Sequence, residues 1–517
     1  MSDTGQEDFT PKGGVPGFLL MVFGMFMAIL DIQIVASSLP EIRAGVSATL
    51  SQAAWVQTAY LIAEVVMIPL SGWLARVMGS HRLFAASAGG FTAASALCAL
   101  SWSPESLIFF RAVQGFVGGA MIPTVFAAIY KMLPPERRTM GVVLAGLTAT
   151  TAPALGPTMG GWLTEHFSWH WLFLVNLVPG VIVTVAVPLV VRIDRAEPGL
   201  LRQIDFIGIL LVAGFLGSLE FVLDEGPRND WFEDDLIVIF TAVSAISGLL
   251  LPLRERRVKY PIIPLEVFTN RNLTVGCILG FALGMVLYGQ SYILPQVLAG
   301  VRGFNALQIG QVMAVTGIAM FFTAPLAGGL SSKLDARGMI LTGFLLTGLG
   351  LYLNAQMTPQ VGFWALLPPQ VARGVGLMMA MVPITTVAMG TLPVHLVSTG
   401  SAMFNVFRNM GGAVGLAMIN TILENRVTTH AAMLAGSIPS TGSSARAMME
   451  DAERLFAARG LPDPGNAAEA MVLETIRVNA TVMAWNDIFF VMALMALAAL
   501  PLVLLLARPR QTAGPAH

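Results

Sequence analysis

Hydrophobic residues in this chain come in long unbroken runs, without the two-residue alternation of strands or the polar faces of surface helices. About fourteen runs reach the roughly 20 residues that cross a bilayer as a helix. They span 17–39, 53–75, 83–102, 105–132, 140–163, 171–191, 205–223, 235–253, 273–296, 306–331, 338–357, 362–389, 398–423 and 483–507. Backbone polar groups inside a bilayer must pair internally, which leaves helices or closed barrels, and these runs lack the period of barrel strands. The first run follows a polar segment without a basic cluster and is too long for a cleaved signal, so it reads as a retained anchor helix. The predicted fold class is an all-α membrane protein with 14 transmembrane helices.

Composition agrees. Of 517 residues, 55% are hydrophobic and 11% charged, with a mean hydropathy of +0.73. A soluble domain carries roughly 25% charge, so a cytosolic enzyme, a disordered chain and a nucleic-acid binder are excluded. Net charge is −1, which gives no global field for a polyanion. Cys98 and Cys277 both lie in apolar runs and read as small core hydrophobes, with no disulfide framework or metal cluster to build from them.

The position of the charges orients the chain. With the N-terminus inside, Lys131, Arg137, Arg138, Arg192, Arg195, Arg202, Arg254, Arg256, Arg257, Lys259, Lys333, Arg337, Arg508 and Arg510 fall on the cytoplasmic side. Short outer loops hold only Arg43, Arg228 and Arg302, and the acidic segment 224–235 falls outside. Both termini are then cytoplasmic, in a multi-pass inner-membrane protein. Tryptophan, which prefers the interface, falls at outer helix ends at Trp55, Trp102, Trp162, Trp169, Trp171, Trp231, Trp364 and Trp485, and at an inner end at Trp73.

A faint repeat links Pro69-Leu70-Ser71-Gly72-Trp73-Leu74 to Pro325-Leu326-Ala327-Gly328-Gly329-Leu330, each followed by a short basic turn. Parallel repeats suggest two similar bundles around a central pathway. The expected organisation is a six-helix bundle over 1–198, two inserted helices over 199–258, and a second six-helix bundle over 259–517. That last bundle carries a long external helical loop, 424–481. In it, 445–459 has helical spacing, Pro464-Gly465 is expected to break it, and Asn466 to cap a second helix. This loop fits either a cap over the bundle or a docking surface for an external partner.

Six charges remain inside the spans: Asp31, Glu64, Arg111, Glu220, Arg373 and Arg408. Each costs roughly 2.5–3.5 kcal/mol at mid-membrane, so six facing lipid would cost on the order of 15–20 kcal/mol. They must face an interior, a partner or water. Asp31 is the first candidate for a group that loads and releases a proton, with Arg111 as partner; a permanent bridge that fixes packing is the alternative. Glu64 fits a second proton site, a contact for a cationic substrate, or a carboxylate bonded across helices. Glu220, in the inserted pair, is expected off the pathway. For Arg373 and Arg408 a structural role is favoured. Gln33, Tyr60, Gln290, Tyr292, Asn405 and Arg408 are candidates for lining a substrate cavity, with helix–helix hydrogen bonds as the competing role for Gln290 and Tyr292.

The fifth run contains Ala152-Pro153-Ala154-Leu155-Gly156-Pro157-Thr158-Met159-Gly160-Gly161. Four helix-weakening residues, Gly156, Pro157, Gly160 and Gly161, need a packing or hinging reason. The fourth run carries Arg111, Gln114, Gly115 and Gly119 on small-residue spacing. These segments resemble the antiporter motif G-x-x-x-G-P-x-x-G-G and the helix 4 motif R-x-x-x-G-x-x-x-G of the major facilitator superfamily, in its fourteen-helix drug:proton antiporter branch, the EmrB/QacA type. Leu30-Asp31 through Leu39-Pro40 resembles that branch's helix 1 motif, with Gln33 in place of Thr. The loop motif between helices 2 and 3 is present as Gly72, Gly79 and Arg82, but Arg76 replaces its acid, so the usual charge relay does not carry over.

The resemblance covers about residues 15–507. It implies a major facilitator fold and export of hydrophobic, cationic or amphipathic small molecules by alternating access, driven by protons as the coupling ion and needing no other cofactor. It implies coupling roles for Asp31 and Arg111. The branch includes exporters that work with a periplasmic adaptor protein and an outer-membrane channel and exporters that work alone. No P-loop, metal spacing or nucleophile elbow occurs, so the chain does not read as an enzyme. An uptake symporter of the same fold and a non-transporting membrane sensor are the competing functions.

Overall fold

The computed structural model describes residues 11–331, 333–437, 443–458 and 463–507; at Leu50, Thr150, Pro153, Ala154, Pro157, Ala306, Leu307, Ser437 and 443–448 only the backbone is described. Among the described residues, fourteen long helices follow one another, with a shorter one between the last two. The first six are α1 (Gly14–Ser37), α2 (Leu50–Met78), α3 (Ser80–Ala99), α4 (Pro104–Met132), α5 (Pro135–His166) and α6 (Trp171–Val190). Then come α7 (Phe206–Arg228), α8 (Asp235–Glu255), α9 (Arg271–Arg302), α10 (Ala306–Ser331) and α11 (Ala336–Asn354). The last three are α12 (Phe363–Gly390), α13 (Val397–Ser437) and α14 (Pro464–Val503).

Among the described residues, 12 helices are long and apolar enough to cross a membrane. The other two, α3 and α5, have 20 and 32 residues and match predicted spans. Gly, Ser and Thr dilute their hydropathy and suit them to close packing inside a bundle.

Local chemistry sets the helix starts. Thr49 and Gln52 form a reciprocal capping box before α2. Ser103 and Ser106 do the same before α4, with Pro104 in the first turn, where its missing N–H is harmless. Asn270 caps α9 through the amides of Asn272 and Leu273. Helix α4 is interrupted at Gly119–Ala120, between Pro104–Gly118 and Met121–Met132.

Helices α1 to α6 pack together, as do α9 to α14, and the halves meet along two seams, α2 against α13 and α5 against α10. The sequence repeat acquires a physical meaning there. A Cβ on Gly72 of α2 would stand 3.1 Å from Cα of Thr399 at the start of α13. A Cβ on Gly328 of α10 would stand 2.9 Å from Cγ2 of Thr139 at the start of α5. Equivalent glycines of the two repeats thus let helix 2 of each half cross helix 5 of the other. Both crossings lie at the end that carries the chain termini. Tyr130 Oη donates to the Thr385 carbonyl (3.1 Å) and Ser401 Oγ to the Pro123 carbonyl (2.7 Å) at the same end.

The inserted pair sits outside the α2–α13 seam. Helix α7 touches α2 and α13, whereas α8 leans mainly on α7. A π-turn at Ala213–Gly217 brings Gly217 beside Val66 of α2. Asp205, just before α7, pairs with Arg254 at the end of α8 (Nη2–Oδ1 2.9 Å) and ties the two helices together.

The long external loop, expected to be helical, is mostly helix among the described residues. Helix α13 runs on to Ser437, a helix spans Ser443–Ala458, and α14 begins at Pro464. The two helices are separate, as expected, with Pro464 as the first residue of the second, and Asp463, not Asn466, is the cap: its Oδ1 accepts from the Asn466 amide at 3.2 Å. Proline at the first helical position loses no helical hydrogen bond. His430 and Arg426 on the α13 extension reach Asp487 on α14 at 2.8 and 3.4 Å. Trp485, at the outer end of its apolar span, lies within the continuous α14 and is 3% exposed. Arg508 and Arg510 lie outside the described residues.

Candidate functional site

All six charges expected inside the spans are buried, between 0% and 7% exposed. None is left on a lipid-facing surface, as the insertion cost requires. The sequence paired Asp31 with Arg111 but gave no grouping for the other four.

Asp31 and Arg111 form the centre of the first bundle. Both side chains are 0% exposed, and Arg111 Nη1 lies 2.7 Å from Asp31 Oδ2. Gln114 bridges the pair: its Oε1 accepts from Arg111 Nη1 (2.7 Å), and its Nε2 donates to Asp31 Oδ1 (3.2 Å) and to Ser95 Oγ (2.7 Å). Asn176 Nδ2 donates to Asp31 Oδ1 at 2.6 Å. Arg111 also donates to the Val56 carbonyl (3.2 Å) and to Gln57 Oε1 (3.4 Å). Its guanidinium lies 4.2 Å from the Tyr60 ring centroid. Five of the six helices contribute, so the pair is a bundle-wide junction. A buried ion pair repays its desolvation only when its remaining hydrogen bonds are made, as they are here.

Sequence reasoning missed Asn176, Ser95 and Gln57. Asn176 had a signal, being an amide in an otherwise apolar run. Tyr60 was a substrate candidate, but Arg111 already covers its ring and it is 1% exposed.

The helix 4 glycines hold this junction closed. A Cβ on Gly115 would stand 2.2 Å from the Tyr60 carbonyl oxygen, and one on Gly119 would stand 2.8 Å from that of Glu64. Only hydrogen at these positions lets α2 and α4 touch backbone to backbone. The antiporter-like segment does the same for α1. A Cβ on Gly156 would stand 2.4 Å from Gln33 Cβ, and one on Gly160 would stand 2.6 Å from Ser38 Oγ. Helix α5 therefore lies directly on the turns that follow Asp31. Ala152 is buried, Gly161 half-buried, and the side chains of Pro153 and Pro157 lie outside the described set. Gln33 is half-buried in this α1–α5 contact.

At the termini end an acid from outside the loop motif packs against the turn between α2 and α3. Asp194, after α6, accepts from the Ser80 amide and hydroxyl (both 2.6 Å) and pairs with Lys131 at the end of α4 (2.7 Å). Gly79, at φ +84°, makes the turn that exposes that amide. Arg76, where the motif has its acid, donates to the Pro261 carbonyl (3.2 Å), and Arg82 is exposed.

Glu64 makes no hydrogen bond among the described residues but lies within electrostatic reach of Arg111 and of Arg408 across the seam. Glu220, expected away from the pathway, faces inward from α7 and is within electrostatic reach of Glu64. The inserted pair lays that carboxylate onto the α2–α13 seam. In the second bundle Arg373 donates to Thr316 Oγ1 (2.7 Å) and makes no ion pair among the described residues. Of the remaining candidates, Tyr292 donates to Asn420 (3.1 Å), a helix–helix bond between α9 and α13, and is 37% exposed. Asn405 donates to the Ser401 carbonyl (2.8 Å). Both amide atoms of buried Gln290 lack partners among the described residues.

Two packed helical bundles, the first built around a buried ion pair, with glycine-lined crossings between them, make up a multi-pass membrane protein. The major facilitator superfamily model matches residues 21–416. The chain is 45% identical over 413 residues to the colistin resistance protein EmrB of Acinetobacter baumannii, covering 80% of this chain and 81% of that protein. It is 32% identical to the multidrug export protein EmrB of Escherichia coli K12, covering 90% of each. Against the fatty acid resistance protein FarB of Neisseria gonorrhoeae it is 29% identical, covering 99% of this chain and 100% of the relative. The human organic anion transporter MFSD10 shares the fold at a TM-score of 0.57 and 13% identity, covering 93% of this chain and 98% of that one. The chain belongs to the major facilitator superfamily, and within it to the EmrB-type drug:proton antiporters.

Proposed function

We propose that this protein exports hydrophobic and amphipathic small molecules across the inner membrane in exchange for protons, with Asp31 and Arg111 as the coupling pair. The observation that carries the reading is the fully buried Asp31–Arg111 bridge, joined to five helices and seated on α1 where α5 packs through Gly156 and Gly160. Protonating Asp31 removes the charge that compensates Arg111. A buried cation without a partner is strongly unfavourable, so the bundle relaxes toward an arrangement in which water reaches it. Helix α1 can shift along the smooth glycine face of α5 without unpacking side chains. The names of the relatives, multidrug export and fatty acid resistance, support a broad apolar substrate range.

Protons are the coupling ion, and no further cofactor enters the scheme. A potential of ~150 mV contributes about 3.5 kcal/mol per proton, enough to sustain a gradient of a few hundredfold. Both termini lie in the cytoplasm. The helical projection of α13, Ser443–Ala458 and α14 stands on the opposite side, where a periplasmic adaptor leading to an outer-membrane channel would dock. Inverted vesicles test direction: an exporter accumulates a fluorescent lipophilic drug when the lumen is acidified. Accumulation only with the opposite gradient identifies an uptake symporter, and none with either gradient identifies a non-transporting protein.

A further inference from the structure

One buried cation on the seam has neither a contacting counter-charge nor a full set of hydrogen bonds. Arg408 of α13 is 3% exposed, and its Nε and Nη1 have no partner among the described residues. The Tyr288 hydroxyl takes a hydrogen bond from the guanidinium, and Glu64 is within electrostatic reach without an ion pair. The Phe126 ring of α4 lies 5.8 Å from the guanidinium carbon. On its own side of the seam Arg408 lines a narrow cavity walled by Leu283, Leu287, Met320, Leu377, Met381 and Phe404. Arg111, by contrast, has its carboxylate and every neighbouring donor and acceptor engaged.

We infer that Arg408 and this cavity form a substrate subsite for a monoanionic amphipath, an aliphatic carboxylate. The carboxylate takes the free guanidinium nitrogens and the hydrocarbon chain enters the apolar cavity. The chemistry selects this class on three counts. A desolvated guanidinium gains most from an anion. An all-apolar wall rejects a polar body. One guanidinium balances one negative charge, so a dianion would leave its second charge buried without a partner. Met320 and Met381 are unbranched and adaptable, so the wall can widen around a chain as the halves part. The assignment rests on the export reading for its purpose, but binding needs no gradient and is measured apart from transport.

The test is equilibrium binding of radiolabelled decanoate to the full-length protein in nanodiscs, with methyl decanoate and decylammonium as competitors. Decanoate binds and neither competitor displaces it. Arg408→Met weakens decanoate roughly ten- to hundredfold, the loss expected for one charge-assisted hydrogen bond. Arg408→Lys keeps part of the affinity, and Leu283→Trp, which fills the cavity and spares the charge, also weakens it. Arg408→Met with wild-type thermal unfolding and wild-type decanoate affinity overturns the inference. Displacement by decylammonium or the ester as effective as by unlabelled decanoate overturns it as well. Decanoate binding through Arg408 without gradient-driven export keeps the subsite and removes the export reading.

Discussion

At the residue scale the account turns on atoms that are absent as much as on charges that are present. Gly115 is the clearest case, because a methyl group there meets the Tyr60 carbonyl oxygen at 2.2 Å. Gly115→Ala is expected to lower unfolding stability by about 1–3 kcal/mol, the usual range for overpacking. Gly317→Ala, where nothing lies within 4 Å, should be neutral or slightly stabilising. Thermal unfolding of the two variants in detergent checks the contrast, and equal losses would contradict the packing argument. Asp31 and Arg111 were legible in the sequence because an ionised side chain in an apolar run stands out. Ser95 and Gln57 were not, since neutral polar residues are tolerated in helices for many reasons and only the fold shows which ones converge. Arg76 was legible as a departure, but the contact of Asp194 with Ser80 was not, because the two are joined only by the folding of α6 back to α3.

At the element scale, hydropathy located all fourteen helices and misjudged the extent of the last two. The segment 424–481 is too polar to span a bilayer and reads as an external helical loop; its helical character holds, but much of it belongs to α13 and α14 themselves, which run on beyond their apolar spans. A hydropathy threshold reports where a helix leaves the lipid, not where it ends. The inserted pair offers a test at this scale. Burial opposes ionisation of Asp205, but the hydrogen bond from Arg254 and the amides of Gly208 and Ile207 outweigh it and hold its pKa below the ordinary carboxylate value. A depressed acid contributes stability that is fully present above its unfolded value of about 3.9. That contribution is lost as pH falls through the folded value. Asp205→Asn should therefore unfold at lower temperature than wild type at neutral pH, with the difference shrinking on acidification below about pH 4. A difference independent of pH would contradict the clamp.

At the scale of the whole molecule, the two halves are joined by matched glycine crossings at the termini end. The repeat in the sequence was visible as two similar hexapeptides; that each sits where helix 2 of one half meets helix 5 of the other was not, since the contact is between halves. A Cβ on Gly72 would already stand 3.1 Å from Thr399 Cα, so a larger side chain there forces the crossing apart. Gly72→Leu should therefore lower thermal stability and transport together. Wild-type transport by a Gly72→Leu protein of wild-type stability would show that this crossing does not depend on the glycine.

The central claim is that Asp31 carries the proton whose movement drives export. The most direct measurement is proton release on substrate addition to purified protein in weakly buffered detergent, comparing wild type with Asp31→Asn at matched thermal stability. The account predicts release from the wild type, and none from Asp31→Asn although substrate still binds. Undiminished proton release from a folded Asp31→Asn protein would contradict it.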